Sequence, residues 1–350
     1  MSNIQEVAKH AGVSTATVSR TFSTPELLSD ETRERVLEVA DRLNYRPRRR
    51  ISKSHQESGR TTEVSDCLGF LFFASETDEN QINEFYASVL VGAQEEAGNL
   101  GMHLIVKTLP RYETPLEMPK MSRDQTVAGT LLVGAAPEAV LNAFADQLAV
   151  SVLVDNQCAG CGLDSIASDG FGGMYEAARY LIDLGHRKIG FVLNEPTAPS
   201  FKDRLRGYLC ALFDAGITPN PDWILAADPK QVVEPLLTGM LAGPDRPTAI
   251  LAANDMNAFS VMKACREAGL AIPDDISVIG FDDIPFSVHT YPPLTTMRVD
   301  KQYLGRLAVR QLHQRIQQAA NGTQPSDPPI LISVPVSLER RGSCRAIDPD

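Results

Sequence analysis

The chain is 350 residues long, 43% hydrophobic and 22% charged, enough for two or three domains whose cores need no disulfide or metal staples. Its net charge of −11, from 33 basic and 44 acidic residues, argues over the whole chain against a nucleic-acid or membrane-surface partner. The charge is uneven, however: residues 1–66 hold 11 Lys/Arg against 10 Asp/Glu and residues 67–350 hold 22 against 34, while residues 42–60 carry seven basic side chains and one acidic.

No stretch approaches 18 consecutive apolar residues, so no membrane-spanning helix is expected. The opening Met-Ser-Asn-Ile-Gln-Glu lacks the charged start and apolar run of a secretory signal, and the expected location is cytoplasmic. Six cysteines (Cys67, Cys158, Cys161, Cys210, Cys265, Cys344) are too few and scattered for a disulfide framework in a chain of this size. Most read as small buried hydrophobes. Cys158-Ala-Gly-Cys161 has the two-residue gap of zinc and redox sites, but a structural zinc needs four ligands and no second pair stands nearby in sequence. The plainer reading is a surface loop with two cysteines.

From Ile4 the apolar residues fall at Ile4, Val7, Ala8 and Ala11, one face of a short helix. Gly12 ends it, and Ser14 is a suitable N-cap for a second helix from Thr15 with Val18 and Phe22 inward. A third helix after Ser29 opens with Asp30 and Glu31 and carries Val36, Leu37, Ala40 and Leu43 as its core stripe. These make an all-α headpiece over residues 1–47. Residues 48–66 are polar, basic and nearly free of large apolar side chains, the composition of a linker.

From Cys67 the pattern changes. Apolar runs at 68–74, 102–108, 129–135, 150–155, 188–194, 248–254 and 276–283 alternate with helical stretches at 84–100, 137–147, 170–184, 202–215 and 256–268. Unbroken apolar strands alternating with helices indicate parallel sheet buried on both faces, a doubly wound α/β architecture. The run is too long for one sheet, so two similar lobes with a cleft between them are expected. Ligands in such sheets sit beyond the carboxyl ends of the strands, which here finish in Asp155, Asn194, Asn254-Asp255 and Asp282-Asp283.

The common dinucleotide, phosphate-loop, zinc-protease and serine-hydrolase signatures are absent. Gly170-Phe171-Gly172-Gly173 resembles a phosphate loop only loosely, and close packing at a strand-to-helix turn is its plainer explanation. The six histidines are dispersed in sequence. Neither an enzyme nor a cofactor or metal is expected.

The segment IQEVAKHAGVSTATVSRTFS at 4–23 is a helix, a tight turn and a second helix with Thr15, Ala16, Thr17, Ser19 and Arg20 on its outer face. That small, polar, cationic face suits a major groove, where Arg can pair with guanine and hydroxyls can reach phosphates. The string IQEVAKHAGVSTATVSRTF, followed by LLSDETRERVLEVADRLNYRP, resembles the headpiece of the lactose/galactose-repressor (LacI/GalR) family. The resemblance continues in ARYLIDLGHRKIGFV (178–192), RLRGYLCAL (204–212), PTAILAANDMNAFSVMKACREAG (247–269), IPDDISVIGFDDIPFS (272–287), PPLTTMRVD (292–300) and VPVSLERRGSC (334–344).

The resemblance implies a two-lobed core over residues 67–345, like the periplasmic sugar-binding proteins, with an N-lobe of about 67–167 plus 300–328 and a C-lobe of about 168–299 plus 329–345. It implies a homodimer on a pseudo-palindromic double-stranded operator, controlled by a sugar-like or nucleobase-like small molecule in the interlobe cleft. DNA contacts are expected from Ser14, Thr15, Ala16, Thr17, Ser19, Arg20, Ser29, Tyr45, Arg48 and Ile51. By motif position, effector contacts fall to Phe85, Tyr86, Arg204, Asn254, Asp255 and Asp282. An Arg fork and a carboxylate can bind hydroxyls while an aromatic face covers the ring. Each has a plain structural alternative: Asp255 as a helix cap, Phe85 as core, Asp282 as the anchor of its own turn. Trp223 reads as packing.

The linker departs from the family. Where an Asn, an Ala and a minor-groove Leu are usual after Tyr45-Arg46-Pro47, the chain has Arg48, Ile51 and Ser54. Serine is a poor wedge between base steps, which leaves two readings: Ile51 as the wedge in a shifted frame, or the basic stripe from Arg46 to Lys53 holding the backbone by charge, with steep salt dependence. Two further function classes stay open at this stage, a solute-binding module without operator activity and an α/β sugar or nucleoside enzyme.

Overall fold

The computed structural model describes residues 4–15, 17–18, 21, 29–42, 65–74, 82–111, 118–124, 126–148, 150–158, 160–227, 234–321 and 328–348. The chain divides into two compact units, Met1–Thr62 and Glu63–Asp350.

In the first unit, helix α1 (Ile4–Ala11) ends where expected, with Gly12 at φ +67° and the Val13 amide donating back to the Ala8 carbonyl at 3.0 Å. The Ser14 hydroxyl accepts from the Thr17 amide at 3.1 Å, the N-cap that the sequence predicts. Helix α2 (Asp30–Arg42) follows Ser29. Val7, Ala8, Ala11, Val18, Val36, Val39 and Ala40 form the core. Leu37 departs from the expected stripe: it is 39% exposed, because Val36, Val39 and Ala40 already occupy one helical face and Leu37 lies a step of 100° off it.

The second unit has twelve strands among its described residues: β1 (Cys67–Ala74), β2 (His103–Pro110), β3 (Gly129–Val133), β4 (Ser151–Val154), β5 (Asp164–Ser168), β6 (Ile189–Leu193), β7 (Ile224–Ala226), β8 (Ala249–Ala252), β9 (Ser277–Asp282), β10 (Thr295–Arg298), β11 (Leu331–Val334) and β12 (Ser337–Glu339). They form two six-stranded sheets, β11-β5-β4-β3-β1-β2 and β12-β10-β9-β8-β6-β7, parallel except where β12 runs against β10. This is the two-lobed α/β architecture expected. Two details correct the sequence reading. Leu331–Val334 pairs with β5 in the N-lobe sheet, so the last crossing between lobes comes after Val334 and not near 328. The 102–108 run, read as doubly buried, is an edge strand with Ile105 and Val106 exposed, because β1 is its sole partner in the sheet.

The α-helices of this unit among the described residues are α3 (Glu84–Asn99), α4 (Lys120–Arg123), α5 (Glu138–Gln147), α6 (Gly170–Asp183), α7 (Pro199–Asp214), α8 (Glu234–Leu241), α9 (Asp255–Glu267) and α10 (Lys301–Ala320). In the N-lobe α3 packs on α10 at backbone distance, since a Cβ on Gly92 would overlap the Gln302 carbonyl and one on Gly305 the Val89 carbonyl. In the C-lobe a Cβ on Gly173 would collide with Val336 and Phe281, so the glycine run at 170–173 serves close packing, as its plainer explanation had it. Trp223 packs at the margin of a C-lobe core of Val192, Leu237, Ile250 and Val278.

His186, fully buried, ties the C-lobe together: Nδ1 lies 2.9 Å from the Thr248 hydroxyl, and Nε2 lies 3.1 Å from the Ser277 hydroxyl and 3.2 Å from the Arg345 carbonyl. Burial lowers its pKa, so the folded state holds it neutral. The unfolded value is about 6.5, so the stability this ring contributes is complete above that pH and lost as pH falls below it towards the folded value. In urea titrations between pH 7.5 and 5.5, His186→Gln should therefore lose less stability than the native protein over that window. Equal losses would contradict the assignment.

Candidate functional site

In the headpiece, Ser14 and Thr15 are exposed and Thr17 half-buried, with the Ser14 and Thr17 hydroxyls 2.9 Å apart. Ser29 is exposed at the start of α2, its hydroxyl 2.9 Å from that of Thr32. Ala16, Ser19, Arg20, Tyr45, Arg48 and Ile51 lie outside the described residues, as does the whole linker from 48 to 64.

The core site lies at the carboxyl ends of the strands. Apolar strands deliver polar residues there because each sheet is covered on both faces up to its rim. Tyr86, in the first turn of α3, donates its hydroxyl to Asp155 Oδ2 at 2.8 Å, and its ring packs 4.9 Å from Phe72 and 5.0 Å from Phe85. Asp155 directly follows β4 and is buried; its other oxygen, Oδ1, has no hydrogen-bond partner. From the C-lobe, α7 presents Arg204, 2% exposed. Its guanidinium donates to the Ala253 carbonyl at 2.5 Å and to Asp282 Oδ1 at 3.1 Å, with Cζ 3.8 Å from the centre of the Phe281 ring and Nε unpartnered. Two contacts cross between the lobes: Arg111, after β2, pairs with Glu195, after β6, at 2.6 Å, and Gln157 donates to Asp203 at 3.4 Å.

The electrostatics follow from burial. Desolvation raises the pKa of Asp155 against the lowering pull of Arg204 and the Tyr86 hydroxyl. It pushes Asp282 up to about 7 despite the Arg204 contact, with Asp255 and Asp155 adding to the rise. Tyr86 is raised as well, by burial and by the Asp155 carboxylate it faces. Asp155, Asp282 and Asp283 are also the sole non-glycine residues with positive φ among those described, at 55°, 111° and 53°. Such conformations cost roughly 1–3 kcal/mol each and persist where surrounding structure enforces them, commonly at ligand clamps. Here Lys301, opening α10, donates to the carbonyls of Asp282, Asp283 and Val299 at 2.5, 3.0 and 3.3 Å.

The sequence-expected effector residues thus divide. Tyr86, Arg204 and Asp282 converge on the cleft. Asn254 is half-buried and caps α9 through a 2.9 Å bond from the Asn257 amide. Phe85 is buried core. Asp255 is corrected: it is 1% exposed, and its carboxylate is consumed by the Ile284 amide and the Ser287 and Thr296 hydroxyls at 2.9, 2.6 and 2.5 Å, so it braces the turn beneath the cleft. The residues missed were Asp155, recognised only as a polar strand end, together with Arg111 and Glu195. Their signal is the charged or polar residue directly after an apolar run, in SVLVD, LIVKTLPR and IGFVLNE. Cys158 and Cys161, expected as two cysteines of a surface loop, are disulfide-bonded. No helix of the described residues is long and apolar enough to cross a membrane.

Residues 3–48 match the family described as bacterial regulatory proteins, lacI family, and residues 178–344 a periplasmic binding protein-like domain. The chain is 32% identical over 321 residues to the HTH-type transcriptional repressor PurR of Photobacterium profundum, covering 90% of this chain and 92% of the relative. It is 32% identical over 330 residues to PurR of Pasteurella multocida, covering 91% and 93%. The solved Lac repressor dimer bound to operator and the anti-inducer ONPF superposes with a TM-score of 0.70 at 25% identity, covering 99% of each chain. The headpiece motif, the paired parallel sheets and the full-length likeness to repressors agree, and the chain belongs to the LacI/GalR family of DNA-binding, effector-controlled transcriptional regulators.

Proposed function

We propose that this protein is a cytoplasmic repressor that binds a pseudo-palindromic operator as a homodimer and changes its operator affinity when a sugar-like or nucleobase-like molecule enters the interlobe cleft. Tyr86, Asp155, Arg204 and Asp282 supply the effector contacts, Asn254 lies at the rim, and Arg111 and Glu195 close the cleft beside them. The observation that carries this is the pair of buried, unpartnered polar atoms, Asp155 Oδ1 and Arg204 Nε. A buried polar group without a partner costs about 1–3 kcal/mol, so a molecule offering a donor to one and an acceptor to the other gains what the empty cleft lacks. Repressor names among the relatives and the operator and anti-inducer of the Lac repressor structure support the same reading. Effector and DNA are then linked reciprocally, each altering the other's affinity by one factor.

The DNA half of the proposal predicts from the headpiece sequence that Arg20 reads a base edge. On a sequence selected from random duplexes by the native protein, Arg20→Ala should bind more weakly by roughly 1–3 kcal/mol and lose discrimination at one base position in each half-site. Unchanged affinity and selectivity would leave a solute-binding module in its place. For the effector half, a panel of sugars, sugar phosphates and nucleobases is screened for a raised melting midpoint, since a ligand of the folded state stabilises it. Arg204→Met and Asp155→Asn should each weaken the shift from any active compound by tenfold or more in concentration, which is about 1.4 kcal/mol. A shift that both variants retain would place the ligand elsewhere.

A further inference from the structure

We infer that Cys158 and Cys161 form a reversible thiol–disulfide couple that exchanges with low-molecular-weight disulfides and sets the rigidity of the loop lining the cleft. The two sulfurs are bonded, with Cα atoms 5.6 Å apart, inside the span a disulfide bridges without backbone movement. Both residues are half-buried, so small thiols and disulfides can reach them. Among the described residues no group of three or more His, Cys, Asp or Glu is arranged to hold a metal, which leaves pairing as the chemistry of this motif. A regulator of genes works beside DNA, in a compartment where thiols are kept reduced, and a disulfide there is characteristically transient and redox-sensing.

The position of the pair gives the exchange a consequence. The loop between β4 and β5 begins with Asp155, whose carboxylate meets Tyr86, and continues with Asn156, whose amide donates to the Gly134 carbonyl at 3.1 Å and whose carbonyl accepts from the Ser165 hydroxyl. Gln157, adjacent to Cys158, reaches across to Asp203 on α7, the neighbour in sequence of Arg204. Closing the ring at 158–161 therefore stiffens the segment that carries one wall of the cleft and touches the other. This rests on the reading of the cleft as the effector site.

The step balances as thiol–disulfide exchange. One cysteine thiolate attacks a small disulfide RSSR and expels RS⁻, leaving a mixed disulfide. The second thiolate attacks the protein-side sulfur of that bond and expels a second RS⁻. The protein gives up two electrons and the two thiol protons, and the small disulfide leaves as two RSH. Reduction is the reverse.

The test uses the full chain, without DNA or effector, equilibrated in mixtures of reduced and oxidised glutathione, with free thiols trapped by N-ethylmaleimide and backbone hydrogen exchange read by mass spectrometry. The expected result is that Cys158 and Cys161 lose trapping together, and that oxidation slows exchange over residues 156–164 on the order of tenfold, with slowing in the same direction over 199–206. Cys158→Ser/Cys161→Ser should match the reduced native protein under every mixture. If that variant does not fold, the native protein compared in its two states still decides. Thiols that stay trappable across the whole range, or oxidation that leaves exchange over 199–206 unchanged, would overturn the inference. Failure of the operator or effector reading shows instead in the binding measurements, which this experiment does not use.

Discussion

One buried cation organises the core of this protein. The Arg204 guanidinium sits against the face of Phe281 with its hydrogen bonds directed at the Ala253 carbonyl and Asp282, and Asp155 from the opposite lobe lies within its field. A charge removed from water this completely must be matched by fixed partners. Its hydrogen-bond partners come from the ends of β8 and β9, and the loop after β4 adds the charge of Asp155 without a direct bond. One guanidinium between two carboxyl groups cannot neutralise both, and burial lifts both acids. The cleft is left with capacity for hydrogen bonds that the protein itself does not make.

The backbone is bent to hold this arrangement. The three left-handed aspartates stand at strand ends where a β-strand must stop and turn out to the rim. Asp283 is fixed by Arg298 and Arg341, which also hold its pKa low, and Lys301 clasps the carbonyls of the same turn. Lys301 opens α10, the helix by which the chain passes from β10 in the C-lobe sheet back to the N-lobe. A shift of one lobe against the other therefore pulls on the turn that positions Asp282. A small molecule that binds one arrangement of the lobes more tightly than another shifts the balance toward it.

How far the sequence spoke depended on which physics set each feature. Strands buried on both faces, such as 129–135 and 276–283, announce themselves as unbroken apolar runs, and their polar ends at Asp155 and Asp282 mark the site. The Ser14 cap and the Gly12 stop are local, made within four residues, and were legible for that reason. Arg204 and Asp282 came from motif resemblance and converge as implied. What stayed hidden is tertiary. Nothing in one dimension distinguishes Asp255, consumed by Ser287 and Thr296, from Asp282, which faces the cleft, since both follow an apolar strand. Arg111 and Glu195 meet across 84 positions of sequence. Strand β11 escaped because its residues alternate in exposure at the margin of the sheet, and β2, expected as a strand, was not legible as an edge because an apolar run does not reveal its neighbours.

The uneven charge fits this division of labour. The acidic excess lies in the unit that carries the cleft, and the basic stripe at 42–60 follows the headpiece motif in sequence. An acidic core opposes indiscriminate adhesion to DNA, which leaves attraction to the phosphate backbone to the basic segment of the sequence. The most direct test of the central claim is a crystal structure of the full-length protein with a compound that raises its melting midpoint. The expected density places that compound between the lobes, within hydrogen-bond distance of Asp155 Oδ1 and the Arg204 guanidinium. A compound bound outside the cleft, with both groups as they stand without it, would contradict the claim.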